Sequence, residues 1–323
     1  MPYISQSNYN PKSIFKNGHV STIYCGVVKK LAPPNYTRKK INLPDGDFLN
    51  IDFKITNSRR AVILCHGLEG DSRRVYNNSC ADFFLQKDYS VFAWNNRSCG
   101  GEMNLLPQLY HHASVDDLEF VVNDVLAQGF EEVYLVGFSL GGAQILNLFG
   151  RKEIDPRVKA GVSVSAPIKL KSSAEKLKQG FNQVYLKRFI RKIKVKIDVK
   201  AKMFPDLVNT DFVPTIKTFD EIDNHFTAPL HGFTDGNDYY TKASPDYSIK
   251  QIKTPVLVIN AWDDPFLGDE CYPIEFAKNH PFVYLETPKH GGHCAFPMRN
   301  SKYAWTDLRA YEFFNKEITS EGF

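Results

Sequence analysis

A serine lies between two glycines in the segment Gly137-Phe-Ser139-Leu-Gly141. An apolar run, Val133–Val136, precedes this segment, and apolar residues at helical spacing follow it. The order predicts a strand, a sharp turn and a helix, with the serine hydroxyl at the turn. Glycine is needed two residues before and two after the serine because the crowded turn leaves no room for a Cβ. A serine placed there can act as a nucleophile, and the positive end of the helix dipole favours a developing oxyanion.

A carboxylate is the second requirement, because a neutral hydroxyl needs a base and the base needs an acidic partner that orients it. In sheets of this kind the order along the chain is serine, acid, histidine. Two adjacent aspartates, Asp263 and Asp264, follow an apolar run that ends at Asn260. We expect Asp264 to be the acid, because Pro265 fixes the local turn and one of two adjacent side chains must face away. Asp263 remains the alternative.

A histidine that follows the last apolar run of the chain is the third requirement. His290 and His293 both follow a run that ends at Glu286. We expect His293 to be the base, because Gly291 and Gly292 before it allow the backbone to turn the ring into the site. His290 is expected at the rim of the site.

Two backbone N–H groups are expected to bind the oxyanion. The N–H of Leu140 follows the nucleophile, and the N–H of Leu68 follows a His66-Gly67 turn at the end of another apolar run. Both turns are predicted at the carboxyl ends of strands, where active sites of parallel sheets lie.

Alternating strand and helix patterns position these residues. A hairpin of outer strands is expected over 37–56, and helices are expected near 75–87, 115–128 and 303–316. Further short apolar strands are predicted at 61–65, 89–94, 133–136, 158–164, 254–260 and 282–286. This alternation implies a mostly parallel sheet with helices on both faces.

The domain organisation is predicted to be a single domain over residues 1–323. Its core comprises 37–166 and 249–323, and an irregular N-terminal arm precedes it over 1–36. A helical lid is expected as an insertion over about 167–248, where the strand rhythm stops. His19, in an Asn-Gly turn of the arm, is expected to be structural, with a functional role as the alternative.

A basic segment opens the expected lid. Residues 167–202 contain twelve lysines and arginines and two acidic residues, a local charge of +10 in a chain whose formal charge is +4. Leu186, Phe189, Ile190 and Ile193 form one apolar helical stripe within it. We expect this stripe to pack inward with the charges in water. The alternative is a basic face that meets acyl-CoA phosphates or makes weak peripheral contact with an anionic membrane.

Composition restricts the class of protein further. The hydrophobic fraction of 43% allows a sizeable core, and no apolar run approaches the roughly 20 residues that span a bilayer. The N-terminus has no pattern of a targeting signal. Six scattered cysteines without metal-ligand spacing are typical of reduced thiols in a cytoplasmic protein. We expect no cofactor, no metal and no nucleic acid partner.

The sequence resembles the YheT-like, ABHD-type branch of the α/β-hydrolases over nearly its full length. The matching blocks are N-G-H-x-x-T-I (17–23), C-H-G-L-E-G (65–70), N-x-R-x-C-G-G-E-x-N (95–104), G-F-S-L-G-G (137–142), D-D-P-F (263–266) and G-G-H (291–293). The resemblance implies an α/β-hydrolase fold and a charge relay of Ser139, Asp264 and His293. Ser98 stands where many relatives have glycine, and Ala143 where they often have asparagine.

Three functions are compatible with these residues. The first is a serine esterase that acts on carboxylic esters with short to medium acyl chains, or on lipid esters. The second is an acyltransferase that passes the acyl group to an alcohol; His111 with Asp116, and His112 with Asp117, form weak H-x4-D patterns of the kind noted in such enzymes. The third is a non-catalytic relative, which the complete set of three site residues disfavours.

Overall fold

One sheet of nine strands organises the computed structural model, which describes residues 3–317. The strands are β1 (Tyr3–Ile4), β2 (Thr37–Asn42), β3 (Phe48–Lys54), β4 (Arg60–Cys65), β5 (Ser90–Asn95), β6 (Glu132–Phe138), β7 (Val158–Val164), β8 (Val256–Ile259) and β9 (Val283–Glu286). Their spatial order is β1-β9-β8-β7-β6-β4-β5-β3-β2. All neighbours are parallel except the pairs β2–β3 and β3–β5, so the sheet is mostly parallel, as predicted.

Helices cover the sheet and fill the segment between β7 and β8. The α-helices are α1 (Gly18–Ile23), α2 (Val75–Gln86), α3 (Val115–Ala127), α4 (Leu140–Arg151), α5 (Leu170–Leu177), α6 (Gln183–Met203), α7 (Phe219–Ile222), α8 (Ala228–His231), α9 (Gly236–Ala243), α10 (Ile274–Asn279) and α11 (Trp305–Glu312). Single π-helical turns follow α1, α7 and α11, at Tyr24–Val28, Asp223–Thr227 and Phe313–Glu317.

The strand order reverses between β4 and β6. The chain leaves β4 through α2 to β5 on one side, and returns through α3 to β6 on the other side of β4. A crevice forms outside the carboxyl ends of the strands at such a reversal, and ligands bind there in open α/β sheets. The loops after β4 and β6 carry Leu68 and Ser139, so the topology directs both toward this crevice.

Side-chain alternation along the central strands builds a core on each face of the sheet. In β4, Ile63 packs into one apolar cluster while Val62 and Leu64 pack into the other, and all three are fully buried. Burial on both faces explains why β4 reads as a continuous apolar run.

The N-terminal arm is more regular than the sequence analysis predicted. Tyr3 and Ile4 pair with β9 as a parallel edge strand, and residues 18–23 form α1. The Asn17 side chain caps this helix by accepting a hydrogen bond from the Val20 N–H at 3.1 Å. The expectation of an irregular arm was wrong because an asparagine read as part of a turn acts as a helix cap.

The inserted segment, residues 167–248 and called the lid below, contains α5 to α9. The apolar stripe of α6 faces inward: Leu186, Ile190 and Ile193 are buried in a cluster that also includes Phe266 of the core. Leu68 packs against the same cluster. The lid therefore lies directly over the loops that carry the predicted site residues.

Candidate active site

Ser139 lies at the corner between β6 and α4 in a strained backbone conformation, with φ 55° and ψ −117°. A Cβ on Gly137 would lie 2.4 Å from the Gly141 carbonyl oxygen, and one on Gly141 would lie 2.3 Å from the Cys65 carbonyl oxygen. Both contacts are shorter than any Cβ tolerates, so the two glycines are required by the close approach of the backbone. The serine therefore lies at a sharp corner between strand and helix.

The two adjacent aspartates face different partners. The Asp264 side chain is fully buried, and its two carboxylate oxygens lie 2.9 and 3.1 Å from His293 Nδ1. Its Oδ1 also accepts the Phe266 N–H at 2.8 Å, which fixes the carboxylate plane. The Asp263 carboxylate instead accepts the Gly292 N–H at 2.9 Å and lies 3.5 Å from His290 Nδ1. The structure thus joins Asp264 to His293, and Asp263 to the loop before it.

His293 is fixed from several sides. Its ring stacks on Phe266 with a centroid distance of 4.0 Å, and its backbone N–H donates to Thr22 Oγ1 at 2.8 Å. The next N–H, of Cys294, donates to Ser165 Oγ at 2.9 Å. Gly292 has a φ of 61°, so one of the two glycines supplies a left-handed turn that leads into the histidine.

The Asp264 charge controls the protonation of His293. Burial alone would lower the pKa of the imidazole, but the adjacent carboxylate outweighs burial and raises the pKa. Because Nδ1–H donates to the carboxylate, the neutral ring has Nε2 available to accept a proton. Ser139 and His293 line the same cavity.

The loop after β4 lies directly against the serine. A Cβ on Gly67 would lie 3.2 Å from Ser139 Cβ, so this glycine permits the close approach of the loop that carries Leu68. Leu140 occupies the first position of α4, where backbone N–H groups have no acceptor within the helix. Leu68, Leu140 and Ser139 all line the same cavity.

His66 has a structural role in this loop. It is fully buried, and its Nδ1 lies 2.7 Å from the Gly67 carbonyl oxygen while its Nε2 accepts the Asn96 N–H at 3.1 Å. Burial lowers its pKa to about 4, so the ring is neutral and donates from Nδ1. The histidine therefore fixes the path of the chain before Leu68.

The H-x4-D patterns do not form histidine–aspartate pairs. Asp116 forms an ion pair with Lys152, and Asp117 binds the Arg97 guanidinium through two contacts of 2.7 and 2.8 Å. His112 Nδ1 lies 2.8 Å from the Tyr239 hydroxyl. These aspartates are salt-bridge partners in the first turn of α3.

The cavity in front of Ser139 has a volume of about 1200 Å³, including solvent at its mouth. Side chains from the lid, most of them apolar, supply most of its wall, and His111, His231 and Asp223 supply polar atoms. Burial lowers the pKa of His231 to about 4 and raises the pKa of Asp223 to about 7. The cavity therefore offers an apolar space with few fixed charges, which suits an apolar acyl chain.

The structure shows the surroundings of Ser98 and Ala143, the two departures from the family pattern. Ser98 has a φ of 59°, a conformation that glycine adopts freely and that explains glycine at this position in relatives. Ala143 is fully buried, and its N–H donates to the Ser139 carbonyl at 3.0 Å as part of α4.

Several residues that position the site were missed by the sequence analysis. Thr22 and Ser165 bind backbone N–H groups of the 293–294 loop. Lys192, Lys196 and Lys200, spaced four residues apart on α6, extend inward to the core. The four-residue spacing of the lysines was a detectable signal. It was missed because the +10 charge of the segment was interpreted as a solvent-exposed face.

Across residues 3–317, no cluster of three or more histidine, cysteine or acidic side chains could hold a metal ion.

Comparisons with known proteins support the fold described above. The sequence profile of the alpha/beta hydrolase fold matches residues 60–297. The chain is 26% identical to YheT of Escherichia coli (strain K12) over 91% of this chain and 88% of YheT. It is 30% identical to phospholipase ABHD3 of Mus musculus, with 82% of this chain and 67% of that protein covered. An esterase of Pyrococcus furiosus has the same fold, with a TM-score of 0.54, 16% identity, and coverage of 89% of this chain and 91% of the esterase chain.

The chain therefore belongs to the α/β hydrolase family. Within the family it lies in the branch that contains YheT and ABHD3. Within residues 3–317, none of the helices combines the length and apolar character that a bilayer crossing requires.

Proposed function

We propose that this protein is a serine hydrolase that cleaves carboxylic esters through an acyl-enzyme on Ser139. The observation that supports it most is that Ser139 and the hydrogen-bonded pair His293–Asp264 lie at one apolar cavity. The esterase and phospholipase names of its relatives support the same class of reaction.

In acylation, Ser139 Oγ attacks the ester carbonyl carbon while His293 Nε2 takes the hydroxyl proton. The carbonyl oxygen becomes an oxyanion and accepts hydrogen bonds from the N–H groups of Leu68 and Leu140. Collapse of this intermediate breaks the bond to the alcohol oxygen, and His293 returns the proton to that oxygen. Asp264 holds the imidazole in the tautomer that leaves Nε2 free and stabilises its protonated form.

In deacylation, a water molecule replaces the alcohol. His293 takes a proton from the water, and the hydroxide oxygen attacks the acyl carbon of the ester on Ser139. A second oxyanion forms at the same N–H groups, the bond to Ser139 Oγ breaks, and His293 returns the proton to the serine. The acid is released and the enzyme is regenerated.

The substrate is proposed to be an ester with a short- to medium-chain acyl group or a lipid ester. The lid residues that line the cavity, including Phe189, Ile193 and Phe226, offer apolar contact along an acyl chain. Each methylene that is buried there contributes about 0.8 kcal/mol of binding.

A fluorophosphonate probe tests the nucleophile. We expect labelling of Ser139, found by peptide mass analysis, and turnover of p-nitrophenyl esters that is lost in Ser139→Ala. An acyl-chain series with p-nitrophenyl esters then measures the pocket, because kcat/KM rises with chain length until the cavity is filled. Folded protein that neither reacts with the probe nor turns over any ester would contradict the proposal.

Acyl transfer to an alcohol is the alternative outcome of the same acyl-enzyme. The H-x4-D patterns offer it no support, since Asp116 and Asp117 are engaged by Lys152 and Arg97. The ratio of new ethyl ester to free acid, measured as ethanol is raised, distinguishes the two. A free-acid yield that does not change with ethanol excludes the transferase.

Peripheral contact with an anionic membrane is proposed through part of the basic lid segment, residues 167–202. Lys187, Arg188 and Arg191 are exposed on α6, and the exposed apolar Phe181 and Val184 lie one or two turns before them. The arm continues this surface, because the His19 ring stacks on Tyr185 and meets Phe181 edge-on. Cations around exposed apolar side chains suit a surface of anionic lipid headgroups.

Vesicle binding tests this contact. Binding to phosphatidylserine-containing vesicles should exceed binding to phosphatidylcholine vesicles and should weaken as salt is raised. Lys187→Glu combined with Arg188→Glu should reduce it, whereas Lys250→Glu, an exposed site outside the lid, is the matched control. Binding that is absent or insensitive to salt would exclude this contact.

A cytoplasmic location and the division into arm, core and lid remain predictions.

A further inference from the structure

The turn that carries Leu68 holds a non-glycine residue in a strained conformation. The Gly70 N–H donates to the Gly67 carbonyl at 2.9 Å, which closes a four-residue turn over Gly67–Gly70. Its third residue, Glu69, has a φ of 54°, where glycine is usual. A side chain in this region is disfavoured, so surrounding contacts must hold the turn in place.

The N–H, the carbonyl and one carboxylate oxygen of Glu69 are all hydrogen-bonded. Its N–H donates to the Tyr110 hydroxyl at 2.8 Å, and that hydroxyl donates to Glu69 Oε1 at 2.9 Å. The same Oε1 accepts Lys196 Nζ at 2.8 Å. The Glu69 carbonyl accepts Arg74 Nη2 at 2.7 Å and Lys192 Nζ at 3.2 Å. These contacts determine the orientation of the peptide groups on both sides of Glu69.

Two of the donors belong to the lid. Lys192 and Lys196 are one turn apart on α6, and Lys200, one turn further, donates to the Asn104 carbonyl at 2.7 Å. The ion pair between Lys196 and Glu69 is largely shielded from water, with side-chain exposures of 14% and 6%. A shielded, hydrogen-bonded pair fixes geometry more firmly than an exposed one, which is screened and mobile.

We propose that Lys196, assisted by Lys192, is a positioning residue of the hydrolytic reaction. By holding Glu69, the lid helix keeps the Gly67–Gly70 turn in the conformation that presents the Leu68 N–H to the oxyanion. The inference rests on the proposed serine hydrolase function. It adds that the oxyanion site depends on the lid and is not complete within the core alone.

The effect of losing this contact follows from the chemistry. Without Lys196 the strained turn can relax, and the Leu68 N–H no longer aligns with the oxyanion, while the Leu140 N–H remains. Loss of one oxyanion donor typically costs about 10²- to 10³-fold in kcat. Because misalignment is partial, we expect Lys196→Met to lower kcat roughly 10- to 100-fold. The ground-state ester does not use this donor fully, so KM should change less than about threefold.

Three variants separate positioning from stability. Lys196→Met leaves the buried Glu69 carboxylate without its cationic partner, which destabilises the fold. Glu69→Gln combined with Lys196→Met removes that charge and should restore the melting temperature without restoring kcat. Lys196→Arg keeps a cation and should retain most activity. Lys202→Met, at an exposed site on the same helix, is the matched control and should behave as the unmodified protein.

The decisive measurement compares two ligands in each variant. Kd of a trifluoromethyl ketone, whose adduct with Ser139 carries an oxyanion, should rise in Lys196→Met in parallel with the loss of kcat/KM. Kd of the carboxylic acid product should stay within about threefold, because it does not require this alignment.

A Lys196→Met variant with unchanged kcat, or with lowered kcat and unchanged ketone affinity, overturns the inference while wild-type hydrolysis still stands. The double variant overturns it if kcat recovers together with stability. A wild-type protein that hydrolyses no ester and does not react with the probe contradicts the proposed function itself. The two failures are therefore distinguishable.

Discussion

At the scale of single residues, the turn at Ser139 shows how surrounding hydrogen bonds maintain a strained backbone conformation. The Ser139 N–H donates to the Val164 carbonyl at 2.8 Å, and its carbonyl accepts the Ala143 N–H at 3.0 Å. Both bonds are made by the neighbouring strand and helix, so the unfavourable φ of 55° is held by the fold on each side.

Gly141→Ala should disrupt this corner. The added Cβ would lie 2.3 Å from the Cys65 carbonyl oxygen. The oxygen belongs to the backbone and the Cβ is bonded directly to it, so the clash can be relieved only by moving the main chain. We expect a loss of about 2 kcal/mol or more of unfolding free energy, measured in urea, and loss of esterase activity. Gly26→Ala is the control: its Cβ meets no atom within 4 Å, and its stability should stay within about 1 kcal/mol. Equal stability of the two variants would contradict this account.

Asp264→Asn and Asp263→Asn should separate the two adjacent acids. Asp264 raises the pKa of His293, so its replacement lowers that pKa and moves the acid limb of kcat/KM to lower pH. The acid limb moves in this direction because only the neutral imidazole is active, and a lower pKa keeps the ring neutral at lower pH. The maximal rate should fall by about 10⁴-fold, since the tautomer is no longer fixed. Asp263→Asn should cost less than about tenfold and leave the acid limb in place. A pH–rate profile checks both, and a larger loss in Asp263→Asn would reverse the assignment.

At the scale of elements, the arm and the lid hold the site from outside the sheet. Helix α1 packs closely on the loop that carries Asp263 and Asp264. A Cβ on Gly18 would overlap the Asp263 carbonyl oxygen at 1.8 Å. Thr22, on the same helix, bridges the Gly18 carbonyl at 2.6 Å and the His293 N–H at 2.8 Å. The motif N-G-H-x-x-T-I thus serves as a small clamp on the histidine loop.

Thr22→Val should test this clamp. Valine has a similar shape but cannot accept the His293 N–H, which would then be left without its partner. We expect a stability loss of about 1 to 2 kcal/mol and a several-fold fall in kcat, because His293 loses one of its restraints. Thr22→Ser keeps the hydroxyl and should recover most of both. If valine and serine variants have the same kcat, the hydrogen bond does not position the histidine.

The parts that sequence analysis predicted and missed differ in the range of their contacts. The G-x-S-x-G spacing and the strand rhythm are local, so the sheet and the Ser139 corner follow from neighbouring residues. Thr22 lies 271 positions from His293 along the chain, and Lys196 lies 127 from Glu69. Such pairs are set by tertiary packing, and the local sequence around each residue does not identify its distant partner. The lysines in particular were read as solvated because long side chains usually extend into water.

At the scale of the whole molecule, burial of neutral histidines ties stability to pH. Burial lowers the pKa of His66 and His231 to about 4 and that of His112 to about 3. Each takes up a proton on unfolding below pH 6.5 or so, so these groups make stability rise with pH over that range. Asp223 and Asp307 act in the opposite sense, because burial raises their pKa to about 7 and about 6.

His112→Asn should remove one of these titrating groups and so reveal its contribution to the pH dependence of stability. In the folded protein the ring stays neutral between pH 4 and 6, while the unfolded chain is protonated, so His112 contributes a slope of about 1.4 kcal/mol per pH unit to the unfolding free energy. Asparagine does not titrate, and its amide can keep a hydrogen bond with the Tyr239 hydroxyl that now lies 2.8 Å from Nδ1. Urea denaturation at several pH values should therefore give the variant a shallower slope by about one proton. Parallel slopes for His112→Asn and wild type would show that the imidazole is charged inside the fold, contrary to its burial against Tyr239.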